Sequence, residues 1–197
     1  MAEKRNSHSV SQLIQEHYPE YFKWETYPAD QCAPIRKITE PWGILGNFGH
    51  AKLMVRGVEF PSSELLFQMM KFRDEESTRE MWRARSKQMA KRLENLGKRR
   101  EDWGTMLIDA LKFAIMTKYE QCEEFRTELE RSKGLYIVED ETRRSSSSYG
   151  AKLKGDVFEG SNLLGRLLME LRDNGNLDYT LPEDALDFIR HIVHLPL

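Results

Sequence analysis

The stretches of this chain that can form strands are short, few and unevenly spaced, which argues against any sheet-dominated fold. Ile35-Arg36-Lys37-Ile38 and residues 52–56 have strand character, and Gly57 turns the second into Val58-Glu59-Phe60, a hairpin that Pro61 ends. A further strand is expected over residues 135–139, behind Gly134. Around these run longer segments of helical period. The first starts at Ser62, a side chain suited to capping a helix N-terminus, and reaches about residue 73. A second spans residues 79–96 and stops at Gly97. A third begins after Asp102 and sets Leu107, Leu111, Ala114, Ile115, Tyr119 and Cys122 on one face. A fourth covers residues 162–173, with Leu164, Leu167, Leu168 and Leu171 inward and Gly175 just past its end. Pro182 suits the first turn of a C-terminal helix. Strands and helices do not alternate regularly, so the expected class is α+β, a helix-rich single domain around a small mixed sheet.

A chain of 197 residues can bury roughly 70% of its unfolded surface and needs no disulfide or metal staple. Residues 34–175 read as the central domain, residues 1–33 as an N-terminal extension packed on it, and residues 176–197 as a C-terminal helical extension. Packing of the first segment is expected because Tyr18, Tyr21, Phe22, Trp24 and Tyr27 crowd into it. The low-complexity run is Ser145-Ser146-Ser147-Ser148. A net charge of −2 points to no dedicated polyanion or membrane partner. No apolar run approaches the ~20 residues that span a bilayer, and the N-terminus leads into no signal-peptide core. Cys32 and Cys122 form no cysteine cluster; reduced thiols are the simpler reading, with a disulfide left open. A cytoplasmic protein is expected.

The helix after Pro61 carries the most chemical information. Leu65, Leu66, Met69 and Met70 make one apolar face, while Glu64, Phe67/Gln68 and Lys71 make the opposite stripe. Glu64 falls in the first turn, where free backbone N–H groups and the helix dipole favour a carboxylate. Such a group can activate water or stabilise a developing cation; spacing alone favours a solvated polar face. The glycines of Gly43-Ile44-Leu45-Gly46-Asn47-Phe48-Gly49 make neither a P-loop nor a dinucleotide fingerprint and read first as a turn, with Asn47 a candidate for a sugar or phosphate. Residues 79–100 are basic (Arg79, Arg83, Arg85, Lys87, Lys91, Arg92, Lys98, Arg99, Arg100), which suits either phosphate binding or a solvated face. His8, His17, His50, His191 and His194 have no metal-ligand spacing, so no metal is expected and no cofactor is implied.

Three blocks in order resemble the NADAR (YbiA-like) family of N-glycosidases. Residues 40–48, EPWGILGNF, resemble the family's EPYGxLSNF. Residues 57–72, GVEFPSSELLFQMMKF, resemble DGxxYPTSEHYFQAQKF, and residues 158–172, FEGSNLLGRLLMELR, resemble WKGxNLLGxALMEVR. Trp103 and the run from Ala110 to Tyr119 fit the intervening helix. The resemblance implies an α+β, helix-rich fold for a NADAR-like catalytic domain over residues 34–175. It also implies cleavage of ribosyl N-glycosidic bonds, the family's substrates being ribosylated pyrimidine intermediates of riboflavin synthesis and ADP-ribose joined to a base or protein.

On this resemblance Glu64 becomes the catalytic glutamate, with Asn47, Gln68 and Lys71 in the pocket. Arg36 is assigned to phosphate, and Trp42, Tyr149 or Phe158 to stacking on the leaving base. Gly46, Phe48, Gly150 and Asn162 complete the expected substrate-binding set. The chain departs from the pattern where Leu65 and Leu66 stand for the family's His and Tyr, and Tyr149 and Phe158 for its two tryptophans. Residues 151–157 replace an acidic, glycine-rich loop, leaving Asp156, then Glu159, as candidates for a second carboxylate. The implied partner is a small nucleotide or an ADP-ribosylated nucleic acid or protein. Two other readings compete: a nucleotide-binding module without turnover, and a nucleic-acid-binding helical protein acting through residues 79–100.

Overall fold

The computed structural model describes residues 9–144 and 149–195. The Ser145-Ser146-Ser147-Ser148 run and His8 lie outside them. Among the described residues seven α-helices and seven short strands form an α+β domain: α1 (Val10–His17), β1 (Glu25–Pro28), β2 (Cys32–Ile35), β3 (Leu53–Val55), β4 (Val58–Phe60), α2 (Ser63–Met69), α3 (Glu75–Ala84), α4 (Lys87–Asn95), α5 (Trp103–Gln121), α6 (Glu123–Arg131), β5 (Tyr136–Glu139), β6 (Ala151–Lys154), β7 (Val157–Gly160) and α7 (Leu163–Asn174). The strands divide among three small sheets. β1, β7 and β6 form an antiparallel ribbon in that order, β2 and β5 a parallel pair, and β3 and β4 a hairpin. Among the described residues, no helix is long and apolar enough to cross a membrane.

α5 is the axis of the core. Most of its residues are buried, Trp103, Met106, Leu107, Ile108, Leu111, Ala114 and Ile115 among them, because α1, α2, α6 and the β3–β4 hairpin pack around it. A helix covered on several sides needs no narrow apolar stripe. α2 lies against it with Phe67 and Trp103 tilted at 5.3 Å between ring centroids. Phe60 of the hairpin meets Trp82 of α3 edge-on at 5.4 Å. The hairpin turn places Arg56 and Gly57 at φ 46° and 80°, the pair of positive φ values that matches a two-residue turn to the twist of its strands.

Several expectations shift. The strand expected at residues 35–38 ends at Ile35, the end of the parallel pairing with β5. The single helix expected over residues 79–96 is two helices. Arg85 turns left-handed at φ 46°, and the Ser86 side chain then caps α4 by accepting from the Met89 N–H at 3.2 Å. The C-terminal α-helix expected after Pro182 is a 3₁₀ turn over Asp187–His191; its Phe188 and Ile189, and Ile192 just after it, are nonetheless buried. Arg100 and Arg73 hold that segment through Asp184. At the other end, Leu13 and Ile14 of α1 enter the core and Tyr27 is buried, whereas Trp24 is 63% exposed. Cys32 and Cys122 are free thiols.

Candidate active site

The opening turn of α2 is fastened before any side chain reaches a ligand. Ser62 accepts from the Leu65 N–H at 3.2 Å, the ordinary capping bond of a helix start. The Glu64 N–H and the Ser63 hydroxyl both donate to the Asn47 carbonyl, at 2.9 and 3.1 Å. The loop carrying Asn47 is gripped from beneath by Lys118 of α5. Its buried ammonium donates to the carbonyls of Ile44 (2.6 Å) and Gly46 (2.8 Å) and lies over the Phe125 ring. Burial pushes the Lys118 pKa down to about 8.

The polar stripe of α2 is not a solvated face. Glu64 is 6% exposed and Gln68 and Lys71 are 5% exposed, because α4 and the 43–49 loop close over them. Gln68 Nε2 donates to Glu64 Oε1 at 2.9 Å, and Lys87 of α4 reaches the same oxygen at 3.1 Å. Lys87 Nζ also sits 4.5 Å from the centroid of the exposed Phe48 ring. Lys71, a turn further along, pairs with Glu94 instead of Glu64 and lies over Phe67 and Trp103; burial lowers its pKa. Gln68 Oε1 is buried without a hydrogen-bond partner among the described residues. An unpaired buried acceptor is costly unless a ligand or water satisfies it.

A second group of carboxylates approaches from β5. Glu139 ends that strand, and Asn162 locks it there. The Asn162 amide accepts from the Glu139 N–H at 3.0 Å and donates to the Ile137 carbonyl at 2.8 Å. Glu141, fully buried, accepts from the Gly150 N–H at 3.2 Å and pairs with Arg144. Gly150 has to be glycine: a Cβ there would lie 2.5 Å from Glu141 Cγ and 2.7 Å from the Glu139 carbonyl oxygen. Burial, then the neighbouring Glu141, pushes the Glu139 pKa up to about 7; Lys87 and Arg144 oppose the rise and Glu64 adds to it. Burial, followed by Glu64, Glu139 and Glu141, also raises the Tyr149 pKa. Tyr149, Gln68, Lys71, Lys87, Lys91, Glu94 and Arg99 line a cleft of about 380 Å³, with Glu64 directly behind Gln68 and Lys87.

The NADAR domain model matches residues 8–174, nearly the whole fold just described. The chain belongs to the NADAR family. It is 32% identical over 137 residues to N-glycosidase YbiA of Shigella flexneri serotype 5b (strain 8401), covering 68% of this chain and 82% of that protein. It is also 29% identical over 154 residues to riboflavin biosynthesis protein VVA0006 of Vibrio vulnificus (strain YJ016), a match spanning 76% of this chain but 40% of that protein. The NMR structure of the E. coli protein YbiA superposes with a TM-score of 0.59 at 30% identity, over 74% of this chain and 84% of that one.

Within this NADAR fold the residues expected to form the site divide into two sets. Glu64, Gln68, Lys71, Asn47, Phe48, Tyr149 and Gly150 gather around α2, α4 and the end of β5. Gly46 lies beneath them, its carbonyl held by Lys118. Arg36 is exposed and pairs with Asp140 at 2.8 Å. Trp42 is left-handed at φ 67°, stacks under Arg131 at 3.9 Å and lines a separate 290 Å³ hollow with Glu40, His50, Glu124 and Glu128. Phe158 does not offer a stacking surface: it is 1% exposed, in a small core with Tyr27, Val138 and Ala151. Asn162, 0% exposed, spends its amide on the β5 backbone and is a positioning residue.

Asp156 sits in the exposed β6–β7 turn, and Glu159 pairs with Lys154. Gly160, the end packed on Gly150, lies four residue steps along the strand from Asp156; that is roughly 13 Å. The carboxylate that does approach Glu64 is Glu139, with Glu141 beside it. Neither they nor Lys87 stand out in the sequence. The available signal is a carboxylate ending the apolar run Tyr136-Ile137-Val138, and Lys87 opening a capped helix. Of the basic run, Lys87, Lys91 and Arg99 face the cleft, while Arg79 pairs with Glu75, Lys98 with Glu76 and Arg100 with Asp102 and Asp184.

Proposed function

We propose that this protein is an N-glycosidase that hydrolyses the ribosyl N-glycosidic bond of a nucleotide-like substrate, with Glu64 as the carboxylate that supports the reacting sugar. The reading rests chiefly on one observation. Glu64 is withdrawn from water behind a cleft wall, with Gln68 and Lys87 both holding its Oε1. Cleaving such a bond builds positive charge on the anomeric carbon and ring oxygen, and a fixed carboxylate in a poorly solvated site stabilises that charge and orients the attacking water. Gln68 Oε1, without a partner among the described residues, is an acceptor for a ribose hydroxyl. Lys87, Lys91 and Arg99 give the cleft a cationic rim suited to a phosphate. Lys71, neutralised by Glu94, contributes shape and a local positive charge rather than a free cation. Tyr149 is the aromatic face at the cleft for the leaving base.

The names of the similar proteins support the reaction class, one an N-glycosidase and one a riboflavin biosynthesis protein. The substrate is an ADP-ribosyl adduct on a base or protein, or a phosphoribosyl pyrimidine, met in the cytoplasm. Incubating the protein with a panel of such compounds and following release of the free base by mass tests this. Release from one class, abolished in Glu64→Gln while the nucleotide still binds, is the expected result. Binding without release by the wild-type protein would make it a binding module instead.

A further inference from the structure

Glu139 is held by its backbone and left open at its carboxylate. Its N–H is fixed by Asn162, and the glycine at 150 lets the neighbouring chain close against its carbonyl. Its carboxylate makes no hydrogen bond or ion pair among the described residues. Glu64 differs at its carboxylate: two donors, Gln68 and Lys87, converge on one of its oxygens. The charges that face Glu139 are Glu141 just beyond β5, Arg144 in the loop that follows, Lys87 from α4 and Glu64 from α2, with the Tyr149 hydroxyl beside them. Two carboxylates in one site, one furnished with donors and one without, divide naturally into an anion and an acid.

We propose that Glu139 is the proton donor to the leaving base, with Glu64 as its anionic counterpart at the sugar. The assignment rests on the N-glycosidase reading and replaces Asp156 as the second carboxylate. As the bond from the anomeric carbon to the base nitrogen breaks, its electron pair leaves with the nitrogen and takes the Glu139 proton. Water adds to the anomeric carbon and gives its proton to Glu64, and that proton returns through solvent to Glu139. Water is thereby split between ribose and base, and nothing else is consumed. Burial and Glu141 keep the carboxyl protonated up to about pH 7, which suits a general acid working near neutrality. Asn162 acts through Glu139 by fixing where strand β5 ends.

The test compares two leaving groups in wild type, Glu139→Gln, Glu139→Asp and Glu64→Gln. A pyridinium ribonucleotide releases its base as a neutral molecule and needs no proton. A purine or aminopyrimidine ribonucleotide does need one. Glu139→Gln is expected to lower kcat about 100-fold or more on the second kind, with KM little changed, and to leave the first kind within a few fold. The wild-type fall in kcat/KM above about pH 7 should disappear in Glu139→Gln and persist, at a lower rate, in Glu139→Asp. Equal losses on both substrates, or an unaltered alkaline limb, would overturn the proposal. Wild-type turnover by Glu139→Gln beside an inactive Glu64→Gln would overturn it while leaving the glycosidase reading intact. Wild-type turnover by Glu64→Gln would strike that reading itself.

Discussion

Lys118 shows how far from the cleft a single residue can govern it. Its ammonium is buried, with no carboxylate among its hydrogen-bond partners, and it spends its donors on the carbonyls of the loop that in turn accepts from Glu64 N–H. Lys118→Met would strand two or more buried carbonyls, at about 1–3 kcal/mol each. The melting temperature should fall by several degrees, and base release should drop as the Asn47 loop loosens. Lys118→Arg should not restore either, since a planar guanidinium cannot converge on the same carbonyls. An unchanged melting curve for Lys118→Met would exclude the clamp. Glu64 and Gln68 could be singled out in the sequence through the family's motif, since their helix spacing alone reads as a solvated stripe. Their burial was not legible, since α4 and the 43–49 loop supply it from distant segments. Glu139 was illegible for the same reason: its neighbours Glu64, Lys87 and Arg144 come together only in the folded chain.

Among the elements, α2 has seven residues, too short for stability of its own. Its orientation comes from the Ser62 cap and the two bonds to Asn47. Ser62→Ala should cost about 1 kcal/mol in urea unfolding, with a larger relative loss in kcat than in stability, because the first turn carries Glu64. Full activity in a Ser62→Ala protein of reduced stability would mean the cap does not set the site. The Ser62 cap of α2, the Gly175 end of α7 and the apolar positions of α5 and α7 could be read from local sequence. β1, β6 and β7 could not, since Glu25–Pro28 lacks strand alternation and is extended only through its pairing with β7. The break between α3 and α4 hinges on one left-handed residue, Arg85, which no helix propensity announces.

For the molecule as a whole, the Glu139 carboxyl couples stability to pH. Its pKa in the folded protein lies near 7, above the ordinary 4.5, so between those values the folded state binds more protons than the unfolded one. Stability from this group is therefore intact below about pH 4.5 and declines as pH rises to about 7. Allowing for its partial exposure, the effect is about 1–2 kcal/mol, or roughly 2–8 °C. Glu139→Gln should match wild type in melting temperature near pH 4.5 and exceed it at pH 8; equal values at both would show that the carboxyl is not desolvated. The family's fold class was readable from three motif blocks and irregular strand spacing, while the division of the strands into three small sheets was not.

Glu64 is best tested by single-turnover base release from the substrate that wild type cleaves, measured side by side with Glu64→Gln, with nucleotide affinity determined for both. The amide keeps the contact to Gln68 and loses the charge. Loss of about 100-fold or more in the rate of base release, with affinity within a few fold, is the expected result. A Glu64→Gln protein that releases base at the wild-type rate would contradict a role for this carboxylate in the chemistry.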